Sequence, residues 1–309
     1  MIVDEGWKLA AKADALKLRA RMVQAIRRFF LERDFLEVET PCRIPAPAPE
    51  CHIEPVASGE WFLHPSPELC MKRLLAAGYP KIFQICRCFR GGERGDRHLP
   101  EFTLLEWYRS NADYRVLMDD CEGMIGHVAE DLGFAGSLGP PGKRIRLQPP
   151  WERLAVKDAF ARYAPIPLSE ALAADRFDEI LAFSIEPRLG RETPVFLHDY
   201  PAELGSLARV KAGDPSVAER FELYIAGLEV ANAFSELTDP REQRRRFEEA
   251  GRSRSLQSRP VSPMPEPFLE ALAGMPPSAG IALGVDRLAM IAAGRDRIED
   301  VVAFSPESL

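Results

Sequence analysis

Two arginines far apart in the chain have surroundings suited to a polyphosphate. Arg90 lies in Phe89-Arg90-Gly91-Gly92-Glu93, followed by His98-Leu99-Pro100-Glu101-Phe102-Thr103, and Arg287 lies in Gly280-Ile281-Ala282-Leu283-Gly284-Val285-Asp286-Arg287-Leu288. Arginine suits phosphate because its planar, permanently charged fork forms bidentate hydrogen bonds that lysine cannot imitate. Gly284 lets the backbone come close to a ligand. Neither a Gly-x-x-x-x-Gly-Lys-Ser/Thr loop nor a strand-linked Gly-x-Gly-x-x-Gly occurs, so the two commonest nucleotide cradles are absent. ATP would need another seat, and the arginine pair provides a candidate for one.

The second group of interest is acidic. Glu222 and Glu229 stand seven apart in Phe221-Glu222-Leu223-Tyr224-Ile225-Ala226-Gly227-Leu228-Glu229-Val230, and Glu236 follows in Ala231-Asn232-Ala233-Phe234-Ser235-Glu236. Paired carboxylates offer the hard oxygens that Mg²⁺ prefers. Glu68 follows Ser66-Pro67, and Glu106 precedes Tyr108 by two residues. Each glutamate alone reads as a solvated surface residue. Gathered in one pocket they suit an ammonium, because an unpaired ammonium in a dry pocket is very costly.

Periodicity indicates the elements that must position these residues. Leu16, Val23, Ile26, Phe29 and Phe30 predict an amphipathic helix over residues 13–33, ended by Asp34. Residues 35–41 alternate as a strand that Pro41 stops, since proline has no N–H to donate. Residues 81–90 alternate again, enter a Gly-rich charged loop, and return as a strand over 102–108. Residues 136–150 read as a surface excursion, 155–185 as helical, 194–201 as a strand, and 221–237 as a stretch containing another. Residues 241–259 carry seven arginines and look helical in their first half. Hairpins and helical insertions without a βαβ rhythm predict an α+β fold, a mostly antiparallel sheet flanked by helices.

These segments, in order over residues 13–304, resemble motifs 1, 2 and 3 of the class II aminoacyl-tRNA synthetases. The resemblance implies that family's catalytic fold, with Arg90 and Arg287 as catalytic residues. Arg90 would hold the α-phosphate and substrate carboxylate, Phe102 would stack on adenine, and Arg287 would contact the γ-phosphate. Glu93, His98, Glu229, Val230 and Gly284 would complete the ATP site. Motif 1 forms the dimer interface in that family, which implies a homodimer through the helix over 13–33.

Residues 231–239 further resemble the lysine-binding strand of lysyl-tRNA synthetases. On that resemblance Glu222 and Glu229 hold Mg²⁺, while Glu236, opposite the Tyr108 hydroxyl, faces an ε-ammonium. Ser66, Glu68 and Glu106 take the α-amino end, and Asn232 and Phe234 complete the substrate site. Ala282 stands where lysyl-tRNA synthetases usually have Gly, and one methyl on a pocket floor shifts preference by roughly 1–3 kcal/mol, here toward a β-amino acid. Gly92, Leu99 and Ala233 depart from the family's usual Glu, Asn and Gly, so adenine recognition is assigned to no side chain beyond the stacking on Phe102. With the motif 1 helix starting near residue 13, no anticodon-reading barrel fits, and residues 1–309 are expected to form a single catalytic domain. That make-up, with Met71-Lys72-Arg73-Leu74-Leu75 and Phe102-Thr103-Leu104-Leu105-Glu106-Trp107-Tyr108-Arg109, is similar to the elongation factor P lysine ligases, which activate (R)-β-lysine as its adenylate and transfer it to a lysine of that factor. The implied partners are elongation factor P and lysine or β-lysine, without stable tRNA binding. Lysylation of tRNA or another small acceptor, and a non-catalytic regulatory paralogue, stay open as alternatives.

Composition bounds these readings. The chain has 309 residues, 46% apolar and 28% charged, with a formal net charge of −7. That balance argues against non-specific nucleic-acid attraction as the main affinity, although the arginines of 241–259 are a candidate contact for an acidic acceptor. Cys42, Cys51, Cys70, Cys86, Cys88 and Cys121 are scattered. Only Cys86 and Cys88 are close, at neither a zinc nor a redox spacing, and they are expected to be reduced thiols packing on one face of a strand. The first six residues lack a signal-peptide pattern and no stretch is long and apolar enough to span a bilayer, so a cytoplasmic protein is expected.

Overall fold

The computed structural model describes residues 6–309; the reading of Met1–Glu5 lies outside them. Among the described residues no helix is long and apolar enough to cross a membrane. Nine strands form the main sheet: β1 (Leu36–Glu37), β2 (Lys81–Phe89), β3 (Glu101–Ser110), β4 (Glu152–Ala155), β5 (Val195–Pro201), β6 (Val210–Lys211), β7 (Asp214–Ile225), β8 (Leu228–Ser235) and β9 (Ser278–Gly284). Their spatial order is β1-β2-β3-β9-β8-β7-β5-β4, with β6 paired to β7. Only the end pairs β1–β2 and β4–β5 are parallel. The helices that matter to the site are α1 (Ala13–Leu31), α2 (Glu68–Ala76), α3 (Tyr114–Asp131), α4 (Pro240–Leu256), α5 (Glu266–Leu272) and α6 (Val285–Ala293). The predicted α+β class therefore holds.

The period of two along each strand divides the sheet into a packed face and a polar one. On the packed face Leu105, Trp107, Phe221, Leu223, Ala231, Ala233, Ile281 and Leu283 meet α1 and α3 in one buried cluster. Helix α1 contributes Met22, Ala25, Ile26, Phe29 and Phe30, the spacing that lays one stripe on the sheet. Its apolar face is thus consumed by its own chain. Asp34, at φ +60°, turns the chain out of the helix as predicted. Asp113 caps α3 by accepting from Arg115 N at 2.9 Å, and Asp239 caps α4 by accepting from Arg241 N at 2.8 Å.

Three expectations change. Of residues 35–41, only Leu36 and Glu37 join the sheet as strand; Val38 N donates to Phe83 O at 2.9 Å, after which the edge segment leads to Pro41 and pairing ends. The stretch 221–237 holds two strands, because Ala226 (φ +58°) and Gly227 (φ +75°) make the left-handed two-residue turn of a hairpin. Glu222 and Glu229 consequently lie on opposed strands. The arginine run is helical through Leu256, and it is not a single solvated face. Arg244, Arg245 and Arg246 pair with acids of the same chain, and Arg254 is only 2% exposed. Arg254 donates to Glu50 O, Ile53 O and Pro260 O at 3.2, 2.9 and 2.7 Å and to Glu54 Oε2 at 2.9 Å. Arg259 reaches the same Glu54 oxygen at 2.9 Å. These two arginines pin residues 50–54 as a strap across the site.

Removing the Arg254 guanidinium strands three carbonyls in a dry corner, each a costly loss. Arg254→Ala should lower unfolding stability by about 2–4 kcal/mol, read as a drop in urea midpoint at unchanged m-value. A loss below about 0.5 kcal/mol would mean that water reaches the strap freely.

Candidate active site

The polar face of the sheet is the floor of a cavity of about 1140 Å³. Strand register lines up two rows across it. Glu106 sits beside Ala282, Ala282 beside Asn232, and Asn232 beside Glu222; two residues along, Tyr108, Gly280, Phe234 and Arg220 are neighbours in the same way. The walls come from the strap, the start of α2, the loop after Arg90 and the inner side of α4. Every predicted site residue lines this one cavity: Ser66, Glu68, Arg90, Glu93, His98, Phe102, Glu106, Tyr108, Glu222, Glu229, Val230, Asn232, Phe234, Glu236, Ala282, Gly284 and Arg287.

One end is acidic and dry. Ser66 Oγ donates to Glu106 Oε1 at 2.5 Å, and Tyr108 Oη donates to Glu106 Oε2 at 2.8 Å. The Tyr108 hydroxyl therefore faces Glu106, whereas the sequence reading set it opposite Glu236. Glu236 is held instead by Lys72, whose Nζ lies 2.5 Å from Glu236 Oε2 and 2.5 Å from Glu68 Oε1. Both Lys72 and Glu236 are 1% exposed, so an in-chain ammonium already occupies the carboxylate expected to face substrate. A fully buried carboxylate left without a cation would be far costlier. Gly280 is needed here, since a Cβ would stand 2.2 Å from Tyr108 Cε1 and 2.3 Å from Glu236 Oε1.

Burial dominates the titration of this end. It pushes Glu106 up to about 8, aided by the negative charge of Glu68, and Glu50 of the strap up to about 7 for the same two reasons. Burial lifts Glu236 to about 7 against the pull of Lys72. Lys72 is raised above its ordinary value because Glu236 and Glu68 outweigh its own desolvation. Lys72 pairs with two of the carboxyl groups of this end, Glu68 and Glu236, and leaves Glu50 and Glu106 without a cation in contact among the described residues, a surplus that favours a further cation.

The other end carries arginines and aromatic rings. Arg90 Cζ lies 5.0 Å from the Phe102 ring centroid, with Glu93 at 3.7 Å, and Arg90 Nε is buried without a partner. Arg287 donates to Glu229 O at 2.8 Å and Glu229 Oε2 at 3.2 Å, and its Nη2 meets His98 Nε2 at 2.6 Å. A guanidinium only donates, so His98 Nε2 is the acceptor and the ring is neutral. Burial and the Arg287 charge both hold the His98 pKa below its ordinary value. Arg220 bridges to Glu222 at 2.6 Å and Asn232 at 3.2 Å, and lies 4.4 Å over Tyr200.

The acids of this end fit a hard cation in a particular way. Glu222 already accepts from Tyr200, Tyr224 and Arg220, each at 2.6 Å. Glu229 is raised by burial and by Glu222, and Glu186 by burial, Glu222 and Glu229. Their oxygens do not converge as a cage of three among the described residues. That suits Mg²⁺ held by one or two carboxylates together with substrate phosphates and water. Of the two acids that line the cavity, Glu229 carries the less committed oxygens, and Glu222 is more firmly engaged by the protein than its sequence position suggested.

Sequence reasoning passed over Lys72, Glu50, Arg220 and Gly280. Two left a signal: Lys72 is four residues after Glu68 on a helix, and Arg220 is two before Glu222 on a strand, spacings that share a face. Glu50 lies in an irregular segment where no periodicity points inward.

The family described as tRNA synthetases class II (D, K and N) matches residues 8–308. A protein of Salmonella arizonae named elongation factor P--(R)-beta-lysine ligase is 40% identical over 97% of both chains. Proteins of the same name from Enterobacter sp. (strain 638) and Salmonella paratyphi B are each 39% identical over 97% of both chains.

A carboxyl held near 8 in the folded chain, against an ordinary 4.5, favours folding most at low pH, and that contribution is lost as pH rises through about 8. Thermal stability of the ligand-free protein should therefore decline between about pH 5 and about pH 8, by roughly a few degrees. Glu106→Gln should flatten this slope. An unaltered slope would assign the pH dependence to other groups.

Proposed function

The chain belongs to the class II aminoacyl-tRNA synthetase family, and from that premise we propose that it activates a lysine-type amino acid, (R)-β-lysine, with ATP and transfers it to a lysine of elongation factor P. The observation that carries this reading is the joining, in one cavity, of a carboxylate-rich dry end to an end built from Arg90 and Arg287. The shared name of relatives near 40% identity over 97% of both chains supports the choice of acceptor and substrate.

The substrate's ammonium groups bind among Glu50, Glu68 and Glu106, while Lys72 keeps Glu236 paired. Its carboxylate, held by Arg90, attacks the α-phosphorus; the α–β bridging P–O bond breaks and pyrophosphate leaves. Arg90 and Arg287 stay charged throughout and stabilise negative charge as it moves toward the leaving oxygens. Neutral His98 holds the Arg287 guanidinium in place, and Phe102 offers a ring face for adenine. Glu229 and Glu222 line the cavity and would hold Mg²⁺, which when bound would neutralise phosphate charge. In the second half-reaction the acceptor amine attacks the carbonyl carbon, the C–O bond to AMP breaks, and the amine's proton passes to solvent.

The protein acts in the cytoplasm as a homodimer, without stable tRNA binding, in keeping with its net charge of −7. Because α1 gives its apolar stripe to its own core, the contact uses its outer face and the β1 edge, where Leu36 is 49% exposed. Light scattering at micromolar concentration should give twice the 34.6 kDa chain mass; a monomer over that range removes the dimer.

Pyrophosphate exchange with (R)-β-lysine or α-lysine, followed by transfer to purified elongation factor P or tRNA, tests the main reading. Exchange with β-lysine and labelling of the factor are expected; labelling of tRNA alone would refute it. Arg90→Ala and Arg287→Ala should each cost at least about 10²-fold in exchange with the fold intact. Ala282→Gly should favour α-lysine over β-lysine by roughly 1–3 kcal/mol in the kcat/KM ratio. An unmoved ratio would take the choice of substrate away from that methyl.

A further inference from the structure

Cys86 and Cys88 were expected only to pack together, and their spacing by itself is no zinc signature. The fold adds a third donor from 22 residues upstream. Both thiols lie on one face of β2, with sulfurs 3.9 Å apart. The segment entering α2 runs beside the end of that strand, Phe89 N donating to His64 O at 3.0 Å. It brings the His64 ring, 1% exposed, to the cysteine pair. One ring nitrogen and the two sulfurs all lie within 4.8 Å of one another, the one such group of three His, Cys, Asp or Glu donors among the described residues.

A second observation concerns the ring itself. His64 Nε2 lies 2.7 Å from Arg87 O, and a carbonyl only accepts, so Nε2 carries the proton and Nδ1 the lone pair. With Nε2–H held by a backbone carbonyl, Nδ1 is the nitrogen left to bind a metal, and such a carbonyl bond fixes the ring and makes it a better donor. Geometry and charge agree with this. Around an ion at a zinc–sulfur distance of about 2.3 Å, sulfurs 3.9 Å apart subtend roughly 115°, close to tetrahedral. Two thiolates and a neutral imidazole cancel the charge of one Zn²⁺, which a buried site demands. Gln84, on the same strand face, has a buried Oε1 without a partner and offers an acceptor to a metal-bound water. Cys86 is half-buried and provides the way in.

We propose that His64, Cys86 and Cys88 form a three-ligand site for Zn²⁺, which ties the start of α2 to the end of β2 two residues before Arg90. Loading forms two Zn–S bonds and one Zn–N bond and releases the two thiol protons to solvent. The metal joins the strand that leads into Arg90 to the segment that carries Ser66 and Glu68.

The test uses the full chain, reduced and stripped with a chelator, then titrated with Zn²⁺ against a chromophoric competitor and, separately, with Co²⁺. One equivalent should bind with Kd below about 1 µM, releasing two protons, and Co²⁺ should show thiolate charge-transfer absorption. Cys86→Ser and Cys88→Ser should each weaken binding by at least about tenfold and reduce that absorption, and the double variant should remove it, whereas Cys42→Ser should do neither. His64→Asn, read alongside circular dichroism, guards against a cysteine variant that fails to fold. Binding unchanged in the cysteine variants, a Co²⁺ spectrum without sulfur bands, or no stoichiometric uptake by the reduced protein would overturn the site.

Discussion

The register of four antiparallel strands, β3, β9, β8 and β7, is the constraint on which the rest depends. Side chains alternate faces with a period of two, so a slip of one residue would send Glu106 and Tyr108 into the core and lift Leu105 and Trp107 into the cavity. Buried carboxylates and large apolar groups cannot exchange places at tolerable cost. The hydrophobic pattern of the sheet therefore also sets the chemistry. Contacts outside the ladder reinforce it: Asp286 accepts from Thr103 N at 2.7 Å and from Arg19 at 2.6 Å, joining α6, β3 and α1 at a point 2% exposed. Ser235 Oγ likewise accepts from Tyr114 N at 3.0 Å and ties β8 to the first turn of α3.

On this frame the site is organised by charge that has been removed from water. Lys72 between Glu68 and Glu236 provides an internal counter-ion, and Arg220 performs the same service for Glu222. Such networks hold their members rigidly when every group is satisfied. The acidic end keeps more carboxyl groups than cations, and burial raises the proton affinity of Glu50, Glu106 and Glu236. A cationic ligand reverses that shift by taking the place of the protons. The arginine end behaves differently, because guanidinium groups do not give up their charge: Arg287 is oriented by a neutral histidine and a backbone carbonyl, and Arg90 rests against an aromatic face.

The strap over residues 50–54 shows how a local composition can mislead. An arginine-rich stretch reads as a solvated, partner-seeking face, yet Arg254 and Arg259 turn inward and hold backbone carbonyls beside the cavity. Most of the neighbouring arginines are neutralised by acids of the same helix or of α5. The helix therefore acts first as a wall of the site.

By itself the sequence determined the class of fold, the arginines and carboxylates that line the cavity, and the family resemblance, because each is written in local pattern: period-two strands, an amphipathic helix, and short motifs around Arg90, Glu106, Glu236 and Arg287. It also carried the helical spacing of Glu68 and Lys72, though not the choice that Lys72 rather than Tyr108 would meet Glu236. Only the tertiary structure decided that partnership, the hairpin that sets Glu222 and Glu229 on opposed strands, and the approach of His64 to Cys86 and Cys88. Each of these depends on the distance between groups brought together by chain reversal or by packing. Pairing of charges at a buried point is decided by which donor arrives with the right reach and direction, a property of the assembled elements that no spacing along the chain encodes.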